Sequence, residues 1–128
     1  QGFFVKLGDG AADVKPIAHL YKTQVYELAR FLGLPEAITS TTPTTDTFSL
    51  AQGQDEFYFG LPYREMDLVL WHVNEGRSAG DLAAALGTDA ATARTHMEAV
   101  HAKRRTTAYL HAPPELAVDV PGIPVPLS

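Results

Sequence analysis

The chain has 128 residues, 45% of them apolar and 20% charged, with a formal net charge of −5. That is enough for one modest domain with a real core, and it excludes the disordered and low-complexity classes. The acidic balance also argues against a non-specific nucleic-acid binder, which relies on summed positive charge against phosphates.

After the apolar "GFFV" the chain enters "KLGDGAADVKP", residues Lys6 to Pro16. Pro16 biases Lys15 away from the α region, so this stretch stays irregular. A helix is predicted from about Tyr21 to Leu32, with Val25, Leu28, Ala29 and Leu32 forming one apolar face. Gly33 suits the position just past its end, and Pro35 prevents continuation. From Ala37 to Gln54 the sequence "AITSTTPTTDTFSLAQGQ" has no sustained period and reads as a lid or binding loop. A second helix is expected from near Pro62, with Met66, Val69, Leu70 and Val73 on one face, ending at Glu75-Gly76. A third runs from Ser78 to Leu86, where Ser78 with Asp81 makes an acidic variant of the capping box and Gly87 closes the helix. A fourth starts at Thr88 or Asp89, buries Ala93, Met97 and Val100, and continues into "KRRTTAYL". The tail from Ala112 is proline-rich and extended. The chain reads as mostly α.

There is no cysteine, so disulfides, thiolate metal sites and a cysteine nucleophile are excluded within these residues. No apolar run approaches the roughly 20 residues needed to span a bilayer, and no signal-like segment leads the chain. The expectation is a soluble, cytoplasmic protein. Gln1 is not an initiator methionine, which suggests a piece of something longer.

The candidate chemistry is sparse. Asp9 and Asp13 are four apart, unlike the alternating carboxylates of a calcium loop, and the Gly8-Asp9-Gly10 turn taken alone reads as a solvated turn. Lys22 stands at a helix start, where the macrodipole is already positive. Either it is a surface lysine carrying a small cost, or an anion such as phosphate joins it there. The threonine loop offers hydroxyls at Thr41, Thr42, Thr44, Thr45 and Thr47, as phosphate donors or as a plain polar connector. His96 and His101, five apart, do not make a zinc pair, and His19, His72 and His111 stand alone. No metal site is expected in these residues. Residues 78–105 have the outline of a helix-turn-helix, the rival reading as a nucleic-acid-binding module. Against it, small residues and Asp89 stand where base-reading side chains belong.

Placed in order, "GFFVKLGDGAADVKPIAHLYKTQVYELARFLGLPEAI", "PTTD", "DEFYFGLPYREMD" and "AKRR" resemble the C-terminal half of the catalytic domain of the ammonia-dependent NAD synthetase family. The resemblance covers roughly residues 2 to 110. It implies the C-terminal portion of an α/β adenine-nucleotide alpha-hydrolase-like (Rossmann-like) domain over 1–111, with a mobile lid at about 37–61 and an extended tail over 112–128. It also implies the reaction: ATP adenylates the carboxylate of deamido-NAD, and ammonia displaces AMP to give NAD.

Carried over residue by residue, Lys6, Asp13 and Lys103 match deamido-NAD contacts, and Lys22 and Thr44 match ATP-phosphate contacts. Asp9 is placed near the reacting carboxyl or the ammonia. The family's Gly-Gly-Ala-Asp reads Gly10-Ala11-Ala12-Asp13 here, and Ala102 stands at the family's histidine with His101 beside it. The family's Ser-Gly-Gly-x-Asp-Ser pyrophosphate loop is not in this sequence, nor is the magnesium-binding glutamate that precedes Gly-Phe-Phe. The resemblance therefore implies a C-terminal fragment that is inactive alone, with the Mg2+ ligands outside it. The implied partners are deamido-NAD, ammonia, the remainder of the catalytic domain and a second copy in a homodimer.

Overall fold

A computed structural model describes Lys6, Gly8, residues 12–43 and residues 60–112. The expectations for Asp9, Thr44, most of the threonine loop and the tail beyond residue 112 lie outside the described residues. Among those described, all regular structure is helical: α1 Lys22–Phe31, α2 Glu36–Thr39, α3 Tyr63–Asn74, α4 Ala79–Leu86, α5 Ala90–Thr106 and α6 Ala108–His111.

Residues 15–20 form two overlapping turns, with Ala18 N–H on the Lys15 carbonyl and Leu20 N–H on that of Ile17. The four predicted helices appear, within a residue or two of their expected bounds except at the end of the fourth, and their ends show why. Past α1, Gly33 takes a left-handed φ of 71°. Its N–H returns to the Arg30 carbonyl and that of Leu34 to Ala29, a Schellman closure that satisfies the orphan carbonyls. At α4, Ser78 Oγ accepts the Asp81 N–H at 3.1 Å while the Asp81 carboxylate accepts the Ser78 N–H, so the predicted box forms. Gly87 is left-handed (φ 69°), and Thr88 N–H closes the end on Ala83. Asp89 caps α5 through the N–H groups of Ala91 and Thr92, each at 2.9 Å. Hydrogen bonds to the charged form hold both cap carboxyls below their ordinary range: from Ser78 for Asp81, and first from the Thr92 backbone for Asp89.

Two expectations need correcting. The predicted loop from Ala37 begins inside α2, a single turn stabilised by backbone bonds from Thr39 N–H to Pro35 and Ser40 N–H to Glu36. Thr39, Ser40 and Thr41 also return their hydroxyls to carbonyls three or four residues back, which lets a polar run close a helical turn. The fourth helix does not run unbroken into "TTAYL": it stops at Thr106, and Thr107 separates it from α6.

The core lies between α3, α4 and α5. Met66 and Val69, Leu82 and Ala83, and Ala93 and Val100 are buried against one another, with Leu70, Val73 and Met97 packed at the rim. The α4–α5 pair thus spends its inner faces on this core. α1 packs against α3, and α2 against α1. No residue of α1 is buried. Its predicted apolar stripe is only partly covered: Val25 and Ala29 are half-buried, whereas Leu28 and, just past the helix, Leu32 are exposed. Among the described residues no helix is long and apolar enough to cross a membrane.

Candidate functional site at the start of α1

The first turn of α1 is held by a residue 44 positions away. Thr23 donates both its amide N–H and its hydroxyl to Asp67 Oδ2 of α3, each at 2.7 Å. Asp67 is buried, only 8% exposed. A carboxylate in such a place is costly unless hydrogen-bonded, and here two donors and the positive end of a helix stabilise it. Two residues before Thr23, the Tyr21 N–H is taken by Gln24 Oε1 at 2.9 Å. The Tyr21 hydroxyl accepts a bond from Asn74 Nδ2 at 2.9 Å, and Asn74 Oδ1 accepts one from Arg104 Nη2 at 2.7 Å. Polar bonds therefore link the start of α1 to the end of α3 and on to α5.

Lys22, between Tyr21 and Thr23, is half-buried. Its ammonium lies 5.4 Å from the ring centre of Tyr26, one turn along α1, and 5.9 Å from that of Tyr63, which opens α3. Both are within the range of cation–π attraction. The anion that the helix start calls for is thus supplied from within the chain by Asp67. The Thr23 N–H is already occupied, so an incoming phosphate would meet the Lys22 ammonium rather than that donor.

Tyr26 and Tyr63 also wall a hollow of about 270 Å³, shared with Arg30, Thr41, Thr42 and Pro43, the residue before Thr44. Tyr26 Oη donates to the Thr41 carbonyl at 3.3 Å, tying this segment to α1. An open groove of about 920 Å³ shares Tyr26 and Arg30 with this hollow and is also walled by Thr23, Arg64, Asp67 and Trp71. Arg30 is paired with Glu27.

The remaining predicted residues lie elsewhere. Lys6 Nζ donates to the Tyr109 carbonyl at 2.9 Å. It is thereby tied to α6, the element that follows the helix carrying Lys103. Lys103 is half-buried, and its carbonyl accepts the Thr107 hydroxyl at 2.7 Å. Asp13 is exposed in a bend. Among the described residues no group of three acidic or histidine side chains could hold a metal ion. His72 is a core residue, with Nδ1 2.8 Å from the Leu68 carbonyl. A carbonyl only accepts, so that nitrogen carries the proton.

Sequence reasoning missed Tyr26, Tyr63, Asn74 and Asp67. Only Asp67 left a trace, as a lone acid between Met66 and Leu68 in an otherwise apolar run.

The family model for NAD synthase matches residues 1–110. An NH(3)-dependent NAD(+) synthetase of Mesorhizobium japonicum is 54% identical over 120 residues, covering 94% of this chain and 38% of that protein. One of Rhizobium meliloti is 55% identical over 123 residues, 96% of this chain and 37% of that protein. One of Thermotoga maritima is 42% identical over 81 residues, 62% of this chain and 28% of that protein. The chain therefore spans less than two-fifths of the length of these relatives. None of them supports the helix-turn-helix alternative. With the family match running from residue 1 into α6, this chain belongs to the NAD synthase family.

Proposed function

We propose that the protein carrying this chain is an ammonia-dependent NAD synthetase, and that this chain is the C-terminal part of its α/β adenine-nucleotide alpha-hydrolase-like domain. The observation that carries the reading is the family match over residues 1–110, joined to the setting of Lys22. Its ammonium stands over Tyr26 and Tyr63, whose rings wall the same hollow as Thr41 to Pro43, on the approach to Thr44.

In this reading the deamido-NAD carboxylate attacks the α-phosphate of ATP and pyrophosphate leaves. Ammonia then adds to the acyl-adenylate carbonyl, AMP leaves, and the amide of NAD forms. Negative charge grows on the departing pyrophosphate. A fixed ammonium aimed at that charge lowers the barrier because it need not reorganise during the step. Lys22 fills this role with Thr44, while Lys6, Asp13 and Lys103 hold deamido-NAD and Asp9 lies near the reacting carboxyl. Mg2+ neutralises phosphate charge when bound, through ligands on other parts of the protein. The same reading makes the enzyme a cytoplasmic homodimer.

The test is ATP-dependent conversion of deamido-NAD to NAD, with ammonium as nitrogen source, by the intact protein. Lys22→Ala should raise the KM for ATP at least ~10-fold, the order expected for losing a charge-assisted contact. Unchanged ATP kinetics would remove the Lys22 assignment. The 128 residues alone should be inactive, and NAD formation by them would refute the dependence on a pyrophosphate loop elsewhere.

A further inference from the structure

We infer that Asp67 is a positioning residue for ATP binding, acting through Thr23 and Tyr63 on Lys22; this rests on the reading of Lys22 given above. Three observations meet in it. Asp67 is an acid with almost no exposure, and both bonds it accepts from Thr23 converge on one of its oxygens. Thr23 adjoins Lys22 on the first turn of α1, so fixing its backbone N–H and its hydroxyl fixes the direction in which Lys22 leaves the helix. Tyr63 and Asp67 are four apart on α3 and share a face. One helix therefore supplies both the clamp on Thr23 and one of the rings beneath the Lys22 ammonium. A lysine carries four rotatable bonds, and ordering it costs entropy that a prearranged setting removes from the binding step.

The electrostatic sign makes the idea testable. Asp67 is negative, and ATP is a polyanion. If Asp67 acted only as a nearby charge, removing that charge would improve ATP binding. If it acts as a clamp, removing the charge weakens ATP binding although a repulsion is lost. The two accounts predict opposite directions for one substitution.

Steady-state kinetics of the intact protein should be measured for Asp67→Asn, Thr23→Val, Thr23→Ser, Lys22→Ala and the Lys22→Ala/Asp67→Asn double variant. The KM for ATP is expected to rise ~10-fold in Asp67→Asn and ~3-fold or more in Thr23→Val, with Thr23→Ser close to the parent, on the scale of lost charge-assisted bonds. The KM for deamido-NAD should stay within about twofold. The double variant should resemble Lys22→Ala, since Asp67 has nothing to position once the ammonium is gone. A fall or no change in the KM for ATP in Asp67→Asn overturns the inference. So does an equal rise for both substrates, or full additivity with Lys22→Ala, either of which makes Asp67 a structural residue only. If Asp67→Asn does not fold, the contrast between Thr23→Val and Thr23→Ser decides, and equal ATP kinetics in those two overturns it. Should Lys22→Ala itself leave ATP kinetics unchanged, the Lys22 reading fails and takes this inference with it. An effective Lys22→Ala beside an unaffected Asp67→Asn removes the inference alone.

Discussion

In the α3–α5 half of the molecule Val69, Leu82 and Val100 are fully enclosed, whereas in α1 no residue is buried and Phe31 is 87% exposed. The first half is held by close packing, which tolerates small shifts in any one contact. The second is held at its N-terminal end by directed bonds: Thr23 on Asp67, Tyr21 on Asn74, and Lys22 over Tyr63. Directed bonds fix angle as well as distance. The comparison teaches that the region carrying the proposed ATP lysine gets its geometry from polar links to the packed region, and little of it from apolar burial of its own.

The largest expected effect comes from attacking the packed half. Leu82→Ala removes a fully buried side chain at the centre of three helices and should cost about 2–5 kcal/mol. Amide exchange across α3, α4 and α5 should accelerate together. Confinement of the change to α4 would show that the core is not one unit.

Asp67→Ala leaves the Thr23 N–H and hydroxyl without their partner, at about 1–3 kcal/mol. Exchange in the first turns of α1 should rise while α4 and α5 keep their protection. Equal loss in both regions would erase the distinction between them. Ser78→Ala removes the α4 cap and should cost about 1 kcal/mol, read as a shift of the unfolding midpoint.

The smallest effect is that of acid. Asp81 and Asp89 both have carboxyls lowered below the ordinary 3.8 in the folded chain. Their contribution is therefore complete above that value and is lost as pH falls through the lowered folded values. The first turns of α4 and α5 should loosen below about pH 4, the ordinary carboxylate range, in pH-dependent amide exchange or NMR of those residues. An unchanged first turn in strong acid would show that the caps work without their charge.

Much of the local architecture was legible because its causes are local. The Ser78–Asp81 box, the Gly33 and Gly87 closures and the 3.6-residue stripe of Met66, Val69 and Val73 each depend on residues within a turn or two of one another. The helical turn at Glu36–Thr39 was not legible, because a run of Ala, Ile, Thr and Ser has weak preferences and its backbone bonds begin at Pro35. The stripe on α1 was read correctly as apolar, but periodicity says nothing about whether a cover is present. The ordered motifs from "KLGDGAAD" to "AKRR" carried the family, and with it the proposed roles of Lys6, Asp13, Lys22 and Lys103.

What the sequence determined by itself is the four longer helices, most of their ends and the family, since capping, turn chemistry and periodicity act between near neighbours. Only the tertiary structure decided what stands at the start of α1. The sequence showed a lysine at a positive helix start, and the fold brings Asp67 onto its neighbour Thr23 from 44 residues away. No local pattern encodes that pairing, because it arises from the packing of α1 against α3 and from the need of a buried carboxylate for donors.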